Sequence, residues 1–115
     1  HALRIARAVK LLRSDYRNPL SVNTLAASAG MSRSAFHLHF RAYTSLTPLQ
    51  FQKHLRLIDA RNQMLGRGKS ISAAAFAVGY ESASQFSREY RRLFGPSPAQ
   101  DKKANPSEPA KSSAG

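Results

Sequence analysis

Apolar residues recur three and four positions apart along this 115-residue chain, and no segment alternates apolar and polar residues as a half-buried strand would. This spacing is that of one face of an α-helix, so the pattern predicts an all-α fold. The predicted inward stripes are Ile5, Val9, Leu12 and Tyr16; Val22, Leu25, Ala26 and Ala29; Phe36, Phe40 and Tyr43; Phe51, Leu55, Ile58 and Leu65; Ile71, Ala74, Ala75 and Val78; and Phe86, Tyr90 and Leu93.

Capping residues mark where these helices begin and end. Serine side chains accept hydrogen bonds from the first amides of a helix, and a proline suits its first turn. Thr47 and Pro48 therefore open the longest helix, predicted over residues 48–65, which Gly66 should end. The other predicted caps are Ser21, Ser32, Ser70, Ser82 and Ser97.

The chain also matches itself at a nearly constant offset, which is typical of an internal repeat. The offset is forty-nine residues before the second cap of each half and fifty after it, so one residue differs in the turn. The matched pairs include Ser21 with Ser70, Ala26 with Ala75, Gly30 with Gly79, Ser32 with Ser82, Phe36 with Phe86, Phe40 with Tyr90, and Pro48 with Pro98.

Each repeat is a short helix, a tight turn with glycine and a second capped helix, the pattern of a helix-turn-helix. We expect the first unit at about residues 21–43 and the second at about 70–94, joined by the long central helix. A helix pair built only for packing has the same pattern.

Beyond residue 101 the sequence lacks aromatic and branched aliphatic residues, so we predict a domain over 1–101 and a disordered tail over 102–115.

Charge favours a polyanionic partner. Eighteen Lys and Arg residues against six Asp and Glu residues give a formal charge of +12. Without the tail, 15 basic and 5 acidic side chains remain, so the charge belongs to the predicted domain. There is no cysteine and no long apolar run, so the sequence predicts neither a disulfide framework nor a membrane span, and it permits a reducing, cytoplasmic location.

The segment "VGYESASQFSREYRRLFGPSP", residues 78 to 98, makes the resemblance to a family specific. With the first repeat and its linker helix, it resembles the C-terminal DNA-binding domain of the AraC/XylS family of bacterial transcription regulators, over roughly residues 4–100. The resemblance implies seven helices, in which two helix-turn-helix units read neighbouring major-groove segments of double-stranded DNA.

The same resemblance implies partners and a role. Members of the family are most often activators, so we expect RNA polymerase as a further partner. Such domains usually follow an N-terminal effector-binding or dimerisation domain, and we expect one here because the first residue, His1, already begins a helical segment. No cofactor is expected.

On the second reading helix, Phe86, Tyr90 and Leu93 define the inner face at about 100° per residue, which turns Arg88 outward. An outward Arg suits the O6 and N7 acceptors of guanine. We predict Arg88 as the main base reader, and the family pattern places the others nearby. The predicted base readers of this helix are Ala83, Ser84, Gln85 and Arg88.

On the first reading helix the same projection turns Ser34, His37 and Leu38 toward DNA. Leu38 stands where the repeat has Arg88 and where family members typically have arginine. We therefore expect this unit to contribute mostly phosphate and apolar contacts. The predicted backbone contacts of both units are Ser32, Arg33, Arg41, Ser82, Ser87, Arg91 and Arg92.

Other roles have weaker support. His37 and His39 lie about 160° apart around a helix, so they cannot chelate one metal ion from it, and no metal-binding motif is present. The sequence shows no nucleophile with an adjacent base, so it does not indicate an enzyme. A basic helical module that binds nucleic acid without sequence preference remains the alternative, and the basic residues of the first helix, from Arg4 to Arg17, fit either a solvated face or a DNA flank.

Overall fold

The computed structural model of the chain describes residues 1–106, which form seven α-helices and no strand. This confirms the all-α prediction. The helices are α1 (Ala2–Asp15), α2 (Val22–Ser28), α3 (Arg33–Thr44), α4 (Pro48–Arg67), α5 (Ile71–Ala77), α6 (Ala83–Phe94) and α7 (Pro98–Ala104).

The predicted caps explain where the helices begin. The side chains of Ser21, Ser32, Ser70, Ser82 and Ser97 each accept a hydrogen bond from a backbone amide of the first turn that follows. Thr47 does the same for α4, whose Gln50 amide lies 3.1 Å from the Thr47 hydroxyl. Gly30 and Gly79 take positive φ values of 66° and 104° at the turns after α2 and α5, where other residues would be strained.

The chain divides into two compact units, His1–Leu55 and Arg56–Gly115, and α4 passes from the first into the second. The first unit packs α1, α2 and α3 around Phe36 and Phe40. The second packs the later part of α4 with α5 and α6 around Phe86 and Tyr90. Each unit therefore has its own apolar core.

The repeat extends further than the sequence comparison showed. Three residues of α1 are buried with the same spacing as three residues of α4, at an offset of fifty-two. The pairs are Ile5 with Leu57, Ala8 with Ala60, and Leu12 with Met64. The later half of α4 thus serves the second unit as α1 serves the first.

The predicted apolar stripe of α4 is wrong in part. Ile58 is 48% exposed, whereas Ala60, Gln63 and Met64 are buried. The large apolar residues misled the projection because the packed face of this helix includes a small residue and an amide. Gly66 does not end α4 either, since the helix runs to Arg67 and Gly68 takes the positive φ, 70°.

The tail prediction is wrong for residues 102–104, which form the end of α7. The Lys102 ammonium there donates to the backbone carbonyl of Lys69 over 2.7 Å. Gln52 holds the corresponding place in the first unit, where its amide donates to the carbonyls of Tyr16 and Asn18. In each unit one side chain thus anchors the loop after the first helix. The rest of the predicted tail, from residue 107 onward, lies outside the described residues.

Candidate nucleic-acid interface

Helix α6 is fixed in the second unit by its inner face. Phe86 and Tyr90 are fully buried, and Leu93 packs against the same core. The turn before α6 is closed by a hydrogen bond from the Tyr80 amide to the Ala75 carbonyl, over 3.0 Å. The predicted inner face of this helix is therefore confirmed.

The outer face of α6 carries three arginines and small polar residues. Arg88 is exposed, as are Ser84 and Gln85, which precede it on the same helix. Ala83, Arg91 and Arg92 are exposed as well, and Ser87 is half-buried. This surface therefore offers both guanidinium donors and short polar side chains, the groups that contact bases and phosphates in a major groove.

Glu89 is a residue of this surface that the sequence reasoning missed. It is half-buried, and its carboxylate accepts hydrogen bonds from the Tyr80 hydroxyl over 2.6 Å and from the Gln85 side-chain amide over 3.0 Å. Burial and the neighbouring Glu89 carboxylate together raise the pKa of Tyr80. The spacing of Gln85 and Glu89, four residues apart on a predicted helix, was the signal that could have revealed the pair.

The C-terminal half of α6 is held by a buried carboxylate on α7. Asp101 is 5% exposed and accepts hydrogen bonds from the Tyr90 hydroxyl and from Arg61 Nε, the latter over 2.9 Å. Asn105 Nδ2 donates to its other oxygen over 3.0 Å. Burial acts to raise the pKa of Asp101, but the bonds from Arg61 and Tyr90 outweigh it and leave the pKa lowered.

Helix α3 is fixed in the first unit in the same way, with one exception. Phe36 and Phe40 are fully buried, as predicted. Tyr43 was predicted to face inward but is 55% exposed. Helix α3 ends at Thr44, one residue later, so Tyr43 lies beyond the part of the helix that packs on the core.

The outer face of α3 is less polar than that of α6. Leu38, at the centre of the predicted reading face, is 69% exposed, Ser34 is exposed and His37 is half-buried. Arg33 and Arg41 flank them and are exposed. A guanidinium nitrogen of Arg33 lies 3.5 Å from the side-chain oxygen of Asn23 on α2. The structure thus places the predicted residues on one helix, with an apolar side chain where α6 has Arg88.

The N-termini of α3 and α6 are capped by serines and have backbone amides suited to a phosphate. The hydroxyls of Ser32 and Ser82 accept from the amides of Ala35 and Gln85, over 3.2 Å in both cases. The first amides of α3 and α6 carry partial positive charge and suit a phosphate oxygen. Both serines are exposed, as a phosphate contact requires.

The histidines do not form a cluster with other metal-binding side chains. His39 is half-buried and its ring stacks on that of His1, with the centroids 4.0 Å apart. Among residues 1–106 there is no group of three or more His, Cys, Asp or Glu residues placed to hold a metal ion.

The described helices include none that is long and apolar enough to cross a membrane. The basic residues Arg4, Arg7, Lys10, Arg13 and Arg17 of the first segment are all exposed.

Each unit contains a helix-turn-helix, α2 with α3 or α5 with α6, whose second helix has an exposed face and carries arginines. This arrangement defines a class, the helix-turn-helix DNA-binding domains. Comparison with known proteins makes the assignment specific. The family model described as a helix-turn-helix domain matches residues 25–104. A transcriptional regulator with an AraC-type DNA-binding domain from Chromobacterium violaceum has a similar structure, with a TM-score of 0.81 and 30% identity over 91% of this chain and 96% of that one.

Two further relatives agree. The DNA-binding domain of AdpA, a global transcriptional factor solved in complex with a target DNA, is similar with a TM-score of 0.79 and 31% identity, over 87% of this chain and 90% of that one. The transcriptional regulator ArgR of Pseudomonas aeruginosa is 30% identical over 99 residues, which are 86% of this chain and 30% of that protein.

The chain belongs to the AraC family of helix-turn-helix DNA-binding domains. This confirms the resemblance found in the sequence. The chain spans about a third of the length of the first curated relatives that it matches.

Proposed function

We propose that this chain is the DNA-binding part of a transcription activator and binds a specific sequence in double-stranded DNA. The single observation that supports this most is the exposed outer face of α6, where Arg88 and its neighbours stand on a helix locked from behind by Phe86, Tyr90 and Asp101. Rigid support of a reading face favours specific readout, because side chains held in place lose less entropy on binding.

In this proposal the two reading helices contribute unequally. Arg88 reads a guanine, with Ala83, Ser84 and Gln85 contacting adjacent bases in the major groove. Ser34, His37 and Leu38 of α3 contact a neighbouring groove segment, and Leu38 offers only an apolar contact, such as one to a thymine methyl group.

Phosphate contacts fix the position of both helices. They come from residues that flank the reading faces and from the helix N-termini. We assign them to Ser32, Arg33, Arg41, Ser82, Ser87, Arg91 and Arg92.

The proposal extends to the whole protein. We propose that an N-terminal effector-binding or dimerisation domain precedes this chain in the whole protein, and that RNA polymerase is a partner of the bound regulator in the cytoplasm. The family's usual architecture and the chain's small share of its relatives' length support this part of the proposal.

Selection of bound duplexes from a random pool tests the proposal. The purified chain should enrich one sequence motif over successive rounds at physiological salt, with its strongest position a guanine. A pool that stays random while still binding the protein would contradict sequence-specific binding and favour a general nucleic-acid-binding module.

A further inference from the structure

Glu89 lies on the helix that we propose to contact DNA, one turn after Gln85. A carboxylate beside DNA phosphates repels them, so it weakens binding unless it serves another purpose. If the proposed function holds, on which this inference rests, Glu89 has such a purpose in the orientation of Gln85.

The carboxylate of Glu89 is itself held in place. Its Oε1 accepts from the hydroxyl of Tyr80, a residue only 6% exposed. The Tyr80 ring packs against that of buried Phe86, with the centroids 5.3 Å apart. Glu89 is thus tied to the core of the unit through a short hydrogen bond of 2.6 Å.

The other carboxylate oxygen, Oε2, accepts from Gln85 Nε2 over 3.0 Å. An ionised carboxylate only accepts hydrogen bonds, so the amide of Gln85 must turn its nitrogen toward Glu89. The amide carbonyl oxygen, which cannot bond to Glu89, is left for a partner. Gln85 is exposed, so that oxygen can reach a base edge.

We propose that Glu89 is a positioning residue that presents Gln85 to the major groove as a hydrogen-bond acceptor. In that orientation Gln85 favours a base with an amino group there, the N4 of cytosine or the N6 of adenine. It disfavours a guanine O6 or a thymine O4 opposite the Gln85 oxygen, because two acceptors then face each other.

Two variants of Glu89 separate its charge from its acceptor role. Glu89→Ala and Glu89→Gln both remove the negative charge, so both should bind every duplex more tightly and to a similar degree. Glu89→Gln keeps an acceptor oxygen for Gln85 and should keep the base preference. Glu89→Ala releases Gln85, and we expect preference at one base pair to fall about five-fold, the effect of roughly 1 kcal/mol of hydrogen bonding.

The affected base pair is identified with Gln85→Ala. Selection from a random duplex pool with wild type and with Gln85→Ala should differ at one position, and Glu89→Ala should lose preference at that same position only. The guanine assigned to Arg88 should stay unchanged in all variants. Tyr80→Phe, which keeps the ring but removes the donor to Glu89, should show a smaller loss at the same position.

Three results would overturn the inference while leaving the proposed function intact. These are an unchanged base preference in Gln85→Ala, an unchanged base preference in Glu89→Ala, and an equal loss of base preference in Glu89→Ala and Glu89→Gln. A wild-type chain that enriches no motif would instead contradict the proposed function itself. Because Gln85 is exposed, its alanine variant should fold even if Glu89→Ala does not.

Discussion

At the scale of single residues, the two repeats differ most at the centre of their reading faces. Leu38 and Arg88 are equivalent in the repeat, and both are exposed on a helix held by two buried aromatic rings. The shared scaffold means that the difference concerns contact with the partner and not the fold. The two positions therefore form a matched pair for mutation.

We expect Arg88→Ala to reduce discrimination between the selected duplex and a mismatched one by about 1 to 3 kcal/mol, the value of a bidentate contact to guanine. Leu38→Ala should change discrimination by much less, since it removes only apolar contact. Competition binding with both variants measures this. Lost discrimination in Leu38→Ala together with unchanged discrimination in Arg88→Ala would show that the assignment is reversed.

Asp101 distinguishes the second unit from the first. Its repeat equivalent is Phe51, which contacts Phe40 edge to face at 5.6 Å, whereas Asp101 accepts from the hydroxyl of Tyr90, the equivalent of Phe40. The first unit thus joins α3 to α4 by aromatic packing, and the second joins α6 to α7 by a buried hydrogen bond. The Tyr90 hydroxyl depends on Asp101, since without that acceptor it would be buried unpaired.

Asp101→Ala should lower the free energy of unfolding at pH 7 by about 1 to 3 kcal/mol, because it leaves the Tyr90 hydroxyl buried without its acceptor. The folded pKa of Asp101 is lowered, so its contribution is present above the unfolded pKa of about 3.9 and is lost as pH falls below it. Denaturant unfolding at pH 7 and pH 3 measures both effects.

The difference between wild type and Asp101→Ala should therefore shrink as the pH is lowered. Tyr90→Phe is the control, since it removes the hydroxyl and recreates the residue of the first unit. A difference that stays constant from pH 7 to pH 3 would show that the ionised carboxylate contributes nothing.

At the scale of the elements, two glycines, one inside a helix and one at a helix end, differ in backbone geometry. Gly66 lies inside α4, and a Cβ added there would meet no atom within 4 Å. Gly95 ends α6 with a φ of 100°, also with open space around it. Space is equal at the two positions, so only backbone conformation distinguishes them.

Alanine should therefore have opposite effects at these two positions. Gly66→Ala should raise the free energy of unfolding by about 0.5 to 1 kcal/mol, through higher helix propensity. Gly95→Ala should lower it by about 1 to 2 kcal/mol, because alanine is strained at this φ. Thermal or denaturant unfolding of both variants checks the signs, and stabilisation by both would contradict the geometry of the α6 end.

The elements also show what the sequence could predict. The repeat and the serine caps were sufficient to place the two helix-turn-helix pairs, because cap and turn chemistry is local. The packed face of α4 was not predictable from large apolar residues, since Ala60 and Gln63 are buried there and Ile58 is not. Lys102 was assigned to a tail because the sequence beyond residue 101 lacks aromatic and branched aliphatic residues. Composition could not reveal its bond to the Lys69 carbonyl, which is distant in sequence.

The candidate site was predictable to the same degree. Helical projection placed Arg88 and Leu38 on the outer faces, because inner aromatic residues fix the rotation of each helix. The spacing of Gln85 and Glu89 was readable as a helical pair. The bond from the Tyr80 hydroxyl to Glu89 was not, because it comes from outside the helix and such contacts between elements leave no periodic signal.

At the scale of the whole molecule, the formal charge of +12 predicts binding that weakens steeply with salt. Arg91→Ala should weaken binding to the selected duplex and to a scrambled one by the same factor. It should also reduce the slope of log affinity against log salt by about one, the loss of one phosphate contact. A preference for one duplex that disappears in this variant would show that Arg91 reads a base.

The most direct test of the account is competition between the selected duplex and a scrambled duplex of equal length for the wild-type chain, at about 0.15 M salt where surface charges are screened beyond about 8 Å. We predict that the selected duplex binds at least about a thousand-fold more tightly, as specific sites do. Equal binding of the two duplexes, lost together as salt rises, would contradict sequence-specific recognition by this domain.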